Sequence, residues 1–101
     1  MNPILLTSSK DNVVTCLRAL NKDEEIEVQG NIYKVKQDIP QFHKMAIKNI
    51  AKGDFVYKYG QTIGVATNEI SEGEYVHIHN VETVSYTHLN YKMFVKYVNK
   101  V

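Results

Sequence analysis

The segment HKMAIKNIAKGDFVYKYGQTIGVATNEISEGEYVHIHN, residues 43–80, is the most informative part of this 101-residue chain. It contains three of the four histidines and four of the five glycines, and it ends in the pattern HxHN. Glycine admits backbone conformations that other residues avoid, and imidazoles can donate protons, accept them or bind metals. The segment therefore predicts a polar site on a tightly turned backbone.

The overall composition is that of one small globular domain, with 44% hydrophobic and 23% charged residues. A formal net charge of +1 gives no basic footprint for a nucleic-acid partner. No apolar run approaches the ~20 residues of a membrane span, and no secretory signal pattern is visible. The single cysteine, Cys16, excludes an internal disulfide, and its apolar neighbours predict a buried thiol. We expect a cytoplasmic protein.

Short strands separated by sharp turns are predicted along most of the chain. Residues 4–6 form a candidate first strand, and residues 25–28 and 32–35 flank a glycine-containing turn typical of a hairpin. The apolar positions of residues 13–20 suit either a short helix or a buried strand.

A seven-residue pattern occurs three times without gaps, at residues 20–26, 50–56 and 70–76. Each copy has an aliphatic residue, two small or polar residues, Gly or Asp, an acid, a variable residue and a β-branched residue. The fourth position predicts a turn with positive φ, and the acid then starts a strand whose β-branched residue points inward. Three such units predict a compact, mainly β fold with pseudo-symmetry. Their unequal spacing argues against a solenoid.

His77 and His79 are two residues apart on a predicted strand, so both imidazoles should lie on one face, with Val76 and Ile78 on the core face. Two neighbouring imidazoles suit a divalent metal if a third ligand approaches. The alternative is a pair of surface histidines, because HxH spacing is common and no carboxylate lies beside it.

A loop after Pro40 carries His43 and Lys44, which could act as acid, base, ligand or anion contact, or could simply be solvated. His43 is the candidate third metal ligand, and Asn80 would be an orienting or substrate-contacting amide. Tyr59, in a glycine-containing turn, could offer its hydroxyl to a substrate.

The last segment has apolar residues at positions 91, 94, 95 and 98, with lysines along another face. This spacing predicts a basic amphipathic helix, although part of it could form an edge strand. We therefore divide the chain into a domain at 1–82 and a C-terminal tail at 83–101.

Several motifs together resemble one family, in order and with little room for gaps. They are DNV at 11–13, HKMA at 43–46, IAKG at 50–53, KYG at 58–60, IGVA at 63–66, Ile70 and GEYVHIHN at 73–80. The family is the N-terminal SAF domain of the altronate and galactarate dehydratases. The resemblance covers about residues 4–82, and the HxHN ending favours the altronate dehydratase branch.

The resemblance implies a β-clip fold like that of type III antifreeze proteins. It also implies elimination of water from a sugar acid such as altronate, with a divalent metal that is typically Fe²⁺ or Mn²⁺. A larger catalytic subunit or domain would supply most of the machinery and share the metal. By resemblance, six residues are site candidates: His43, Lys44, Tyr59, His77, His79 and Asn80. We take His43, Lys44, Tyr59 and Asn80 as substrate-binding candidates, and His77 and His79, from their spacing, as candidate metal ligands. No residue is assigned as catalytic.

Three functions are consistent with these residues. The first is a small subunit or excised N-terminal domain of a sugar-acid dehydratase, inactive alone. The second is the small subunit of a sulfolactate sulfo-lyase, which looks like this chain. The third is a non-catalytic module, since SAF-type domains also bind carbohydrates such as sialic acid.

Overall fold

The structure is a computed structural model that describes residues 3–6 and 8–83. All regular structure in this part of the chain is β-strand, which confirms the mainly β prediction. The strands are β1 (Ile4–Leu5), β2 (Val13–Cys16), β3 (Glu25–Val28), β4 (Asn31–Lys34), β5 (Lys44–Ala46), β6 (Phe55–Lys58), β7 (Gln61–Ala66), β8 (Tyr75–Val76) and β9 (Val81–Thr83).

The strands pair antiparallel in three small sheets, ordered β1-β2-β5-β8, β3-β4 and β6-β7-β9. The first strand is confirmed, and β2 resolves the ambiguous segment after residue 13 as a buried strand. The β3-β4 hairpin is also confirmed. Its turn residues Gln29 and Gly30 have φ values of +50° and +81°, as a two-residue primed turn requires.

The two central strands of the four-stranded sheet, β2 and β5, contribute buried residues to core clusters on both faces. Along β2, Val14 joins a core cluster with Ile26, while its neighbour Val13 joins a second cluster with Val56. Successive strand residues point to opposite faces, so the uninterrupted apolar character of β2 follows from this double burial. Each fully buried aliphatic side chain stabilises the fold by about 1.5–3 kcal/mol.

The seven-residue turn occurs four times in the structure, one more than the sequence pattern indicated. The additional copy is IPQFHKM, residues 39–45. The first residue of each copy is buried, and these residues form antiparallel β-bridges in pairs, Leu20 with Ile39 and Ile50 with Ile70. The fourth residues all have positive φ: Asp23 +73°, Phe42 +69°, Gly53 +89° and Gly73 +86°.

Each turn also pairs with a facing residue through two backbone hydrogen bonds. The Phe42 N–H donates to the carbonyl of Cys16 (2.6 Å), and the Cys16 N–H donates to the carbonyl of His43 (2.8 Å). The Gly73 turn makes the same pair of bonds with Ala46. The following strand begins at the sixth residue of each copy, one residue later than predicted. This shared bonding confirms the repeated turn-into-strand unit.

The HxH segment is not on a strand, and that prediction was wrong. Strand β8 ends at Val76, and residues 77–80 form a turn in which the Asn80 N–H donates to the carbonyl of His77 (3.1 Å). Ile78 is 75% exposed, so it does not reach the core as predicted. Asn80 ends the strand because its side chain bonds the backbone locally, which competes with sheet pairing.

Two further observations complete the fold. Within the described residues, no helix is long and apolar enough to cross a membrane. The predicted C-terminal helix, with its apolar residues at 91–98, lies outside the part of the chain that the structure describes.

Candidate functional site

Three histidines and one tyrosine form an aromatic cluster: His43, Tyr75, His77 and His79. The Nδ1 atom of His43 lies 2.5 Å from the Tyr75 hydroxyl oxygen, and the His43 and His77 ring centroids are 4.6 Å apart. The Tyr75 ring stacks on His77 at 5.7 Å and lies 5.2 Å from His79. The structure thus brings the three predicted histidines together around a tyrosine that the sequence analysis did not single out.

His43 reaches this cluster because of its place in the repeated turn. In two other copies the fifth residue is a glutamate, and its side chain accepts the backbone N–H of the second residue of the same copy. Glu24 accepts from Asn21 in this way, and Glu74 accepts from Ser71, both at 3.1 Å. In the copy that contains His43, the second residue is Pro40, which has no N–H to donate. The side chain at position 43 is therefore released from its turn and contacts Tyr75 instead.

Tyr75 and His77 are placed by hydrogen bonds around the end of β8. The side-chain oxygen of Asn80 accepts the His77 N–H (3.0 Å), and its nitrogen donates to the Tyr75 carbonyl (2.8 Å). The Gln37 side-chain oxygen accepts the Tyr75 N–H at 2.9 Å. Asn80 is 4% exposed, so the geometry favours its orienting role over direct contact. Substrate contact by Asn80 stays a prediction.

Lys44 adds positive charge to the aromatic cluster through its effect on His77, and Lys58 lies near Lys44. Lys44 begins β5, opposite Val76, and burial together with the charge of Lys58 lowers its pKa. The Lys58 ammonium lies over the Tyr59 ring, 4.8 Å from its centroid. Among the described residues, neither lysine forms an ion pair within 4 Å. An ammonium group without a carboxylate partner is available to an anionic ligand.

Tyr59 is held at the tip of the β6-β7 hairpin by a buried carboxylate. Asp11, which is 1% exposed, accepts the N–H groups of Tyr59 (3.0 Å) and Gly60 (2.8 Å). The Tyr59 backbone has φ of +58° and its side chain is 57% exposed. The Lys58 ammonium, which contacts the Tyr59 ring and acts on Lys44, links Tyr59 to the rest of the site. Contact between Tyr59 and a substrate stays a prediction.

The electrostatic character of the site is cationic. Burial lowers the pKa of His77, and the positive charges of His43, Lys44 and His79 lower it further. These charges disfavour a proton on His77, whereas a carboxylate would be attracted to the lysines and hydrogen-bonded by the rings. The arrangement can therefore bind a small polyhydroxylated anion.

The donor set of the described residues does not by itself form a metal site. In residues 3–6 and 8–83, no group of three or more His, Cys, Asp or Glu side chains is arranged to hold a metal ion. Catalytic metal sites commonly use three protein ligands, and the Nδ1 atom of His43 already faces Tyr75. Ligation by His77 and His79 stays a prediction that requires further ligands from outside the described residues.

Comparisons with known proteins agree with the motifs. Residues 2–84 match the family model for the altronate/galactarate dehydratase SAF domain. The chain is 39% identical over 83 residues to an altronate dehydratase of Bacillus subtilis (strain 168), covering 82% of this chain and 17% of the relative. Against an altronate dehydratase of Escherichia coli (strain K12) it is 41% identical over 73 residues, or 72% and 15% of the two chains.

A second group of relatives is much shorter. The chain is 45% identical over 51 residues to the (2R)-sulfolactate sulfo-lyase subunit alpha of Chromohalobacter salexigens, covering 50% of this chain and 54% of the relative. The corresponding subunit of Paracoccus pantotrophus is 44% identical over 48 residues, 48% of this chain and 72% of the relative. By contrast, the segment that this chain matches in each altronate dehydratase is less than a fifth of that protein's length. Because the family model matches residues 2–84, the chain belongs to the altronate/galactarate dehydratase SAF domain family.

Proposed function

We propose that this chain is the small part of a sugar-acid dehydratase of the altronate dehydratase type. It would complete the substrate site of a larger catalytic subunit or domain in the cytoplasm and have no activity alone. The identity to two altronate dehydratases supports the substrate class, and the small matched share of their length supports the need for a larger partner.

The observation that carries this proposal is the cationic, aromatic surface formed by Lys44, Lys58 and the aromatic cluster. A sugar acid presents one carboxylate and several hydroxyls. An ammonium pairs well with the carboxylate, while imidazole and phenol groups can both donate to and accept from hydroxyls. The pKa values of Lys44 and His77 are lowered by burial and by positive neighbours, as expected for a surface that binds an anion.

The chemistry divides between the two parts. Elimination of water from a hydroxy acid needs a base for the proton beside the carboxylate and an acid for the departing hydroxyl. This chain would bind the carboxylate through Lys44 and place the His43 imidazole beside a substrate hydroxyl. We also propose a shared Fe²⁺ or Mn²⁺ ion, which would be held by His77, His79 and ligands from the larger part and would polarise the substrate oxygens.

A second candidate is the small subunit of a sulfo-lyase. It is favoured by the relatives named subunit alpha, because these are short chains and this chain matches 72% of one of them. A sulfonated hydroxy acid carries two anionic groups, and the site offers two lysines that have no ion-pair partner among the described residues.

Complementation in trans tests both candidates. The full chain would be added to the Bacillus subtilis altronate dehydratase from which the matched segment has been removed. We expect water elimination from altronate to be restored, and Lys44→Met to abolish the restoration. The removed segment, added back as a separate chain, is the control that the truncated enzyme is competent.

The outcomes separate the proposals. Altronate dehydration by the isolated chain would contradict the claim that it is inactive alone. No restoration by this chain, while the enzyme's own segment restores activity, would overturn the dehydratase assignment. Release of sulfite from sulfolactate, in a parallel assay with a sulfo-lyase large subunit, would favour the second candidate.

A further inference from the structure

We propose that Tyr75 is a positioning residue that fixes the tautomer of His43. The Tyr75 hydroxyl donates to Nδ1 of His43, so the imidazole proton lies on Nε2, and Nε2–H is the donor that His43 presents at the site. This proposal rests on the proposed function only for the identity of the acceptor, which would be a hydroxyl or carboxylate oxygen of the sugar acid.

His43 and Tyr75 form a direct side-chain hydrogen bond. Nδ1 of His43 and the Tyr75 hydroxyl oxygen are 2.5 Å apart, so one of them donates to the other. A neutral imidazole has one donor and one acceptor nitrogen, and the bond at one nitrogen sets the state of the other. A phenol oxygen shares its lone-pair density with the ring and is a weaker acceptor than an unprotonated imidazole nitrogen. The favoured direction therefore runs from Tyr75 to Nδ1.

Tyr75 is held in place by its neighbours on β5 and in the turn after β8. Tyr75 lies opposite Met45 in the β5-β8 pair, and both of its backbone polar groups are bonded by side chains. Gln37 accepts its N–H at 2.9 Å, and Asn80 donates to its carbonyl at 2.8 Å. These bonds fix the Tyr75 backbone, and contacts with His77 at 5.7 Å and His79 at 5.2 Å hold its ring. A tyrosine held in this way can select one state of its partner.

The second position of the turn that contains His43 offers the His43 side chain no backbone N–H to accept. The equivalent residues Glu24 and Glu74 each bond the N–H of their turn, but Pro40 removes that donor from the His43 copy. The His43 ring instead contacts both Tyr75 at 5.5 Å and His77 at 4.6 Å, measured between centroids. These contacts hold the ring while Tyr75 sets its proton.

The consequence for the site is a defined hydrogen-bond donor at His43. With the proton on Nε2, His43 and the ammonium of Lys44 both offer hydrogen to an oxygen-rich ligand. The opposite tautomer would leave Nε2 as an acceptor, which suits a substrate hydroxyl proton and not a carboxylate. Tyr75 therefore decides whether His43 favours an anion.

Long-range proton–nitrogen NMR spectra of the full ¹⁵N-labelled chain test the proposal directly. They are recorded well above the ordinary histidine pKa of ~6.5, where the imidazole is neutral. In the native chain we expect the His43 signature of a protonated Nε2 and a bare Nδ1. In Tyr75→Phe, which keeps the ring and loses the hydroxyl, we expect both nitrogen shifts to move toward an average of the two tautomers.

Tyr33→Phe is the matched control. Tyr33 is a partly buried tyrosine packed on the core cluster that contains Val14, so losing its hydroxyl should leave the His43 shifts unchanged. A protonated Nδ1 in the native chain would overturn the proposal, and so would an unchanged His43 spectrum in Tyr75→Phe. These spectra need no substrate or partner. A failed complementation with altronate dehydratase would therefore reject the proposed function and leave the tautomer result standing.

Discussion

Phe42 and Gly73 occupy the same backbone position in two copies of one turn, with φ of +69° and +86°. Glycine adopts this conformation freely, whereas a residue with a Cβ pays about 1–2 kcal/mol for it. The Phe42 side chain is 66% exposed and buries little surface in return. Strain kept at an exposed aromatic residue beside His43 is consistent with a role in binding.

Replacing Phe42 by glycine should stabilise the isolated chain. We expect Phe42→Gly to raise the free energy of unfolding by about 1 kcal/mol, because the positive φ no longer meets a Cβ. Phe42→Ala is the control, since it removes the ring but keeps the strain, and it should stay within about 0.5 kcal/mol of the native chain. Urea denaturation measures both, and equal stability of the two variants would contradict the strain argument.

Gly73 is required for a second reason that Gly30 lacks. A Cβ at Gly73 would lie 2.1 Å from the carbonyl oxygen of Lys34, whereas a Cβ at Gly30 would meet no atom within 4 Å. Both glycines have similar φ, +86° and +81°. We expect Gly30→Ala to cost about 1 kcal/mol and Gly73→Ala to cost about 2 kcal/mol more, the difference being the steric clash. Equal losses in urea denaturation would show that the turn moves away from Lys34 without cost.

The repeated turn was predictable from sequence only where its residues follow general preferences. Asp, Gly and Gly at the fourth position are the residues expected at positive φ, so three copies were visible. The copy at residues 39–45 has Phe42 at that position and His43 where the others have an acid. Its conformation is set by backbone hydrogen bonds to Cys16, which is distant in sequence. The local conformational preferences of residues 39–45 therefore do not predict it.

The candidate site was predictable in its histidines but not in its geometry. The alternation from Val76 to His79 satisfies a strand pattern, yet the two hydrogen bonds of the Asn80 side chain turn the chain instead. Tyr75 occupies a variable position of the repeat and reads as an ordinary strand residue. Only the pairing of β5 with β8 shows that it meets His43.

The buried carboxylate of Asp11 should contribute strongly to stability. Asp11→Ala leaves the N–H groups of Tyr59 and Gly60 without their acceptor, and we expect a loss of about 2–3 kcal/mol. Asp38→Ala is the control, because exposed Asp38 accepts a single N–H, from Lys22, and should cost less than about 1 kcal/mol. Chemical denaturation compares the two, and a similar small loss in both would reject the anchoring role of Asp11.

Cys16 should make stability depend on alkaline pH. Burial raises the pKa of its thiol to about 11 from an ordinary value of 9.0, with a smaller opposing effect of Arg18. Between these values the unfolded chain loses the proton while the folded chain keeps it, so stability present below pH 9.0 is lost as pH rises toward about 11. Urea denaturation at several pH values should show this loss in the native chain and a flatter profile in Cys16→Ala, in which no thiol titrates. Parallel profiles would mean that the thiol is hydrated in the folded state.

The pKa of His77 reports whether Lys44 faces the aromatic cluster. Burial is the main cause that lowers this pKa, and Lys44 is one of three positive neighbours that add to it. We therefore expect Lys44→Met to raise the pKa of His77 part of the way to its ordinary value, measured by the ring-proton shift against pH. Exposed Lys48 supplies the control, since Lys48→Met removes the same charge away from the cluster and should leave the titration unchanged.

The sign of this shift also fixes its effect on stability. Because the folded pKa is lowered, the folded state binds fewer protons, and the contribution of neutral His77 is present above the ordinary pKa of ~6.5 and lost as pH falls through the lowered value. Lys44→Met should therefore reduce the acid sensitivity of the fold as well as raise the pKa. A bound sugar acid would raise the pKa of His77 in the same direction, by placing a negative charge beside it. If Lys44→Met, like Lys48→Met, left the pKa of His77 unchanged, Lys44 would not share a surface with the histidines. The proposed anion site would then lose its central positive charge.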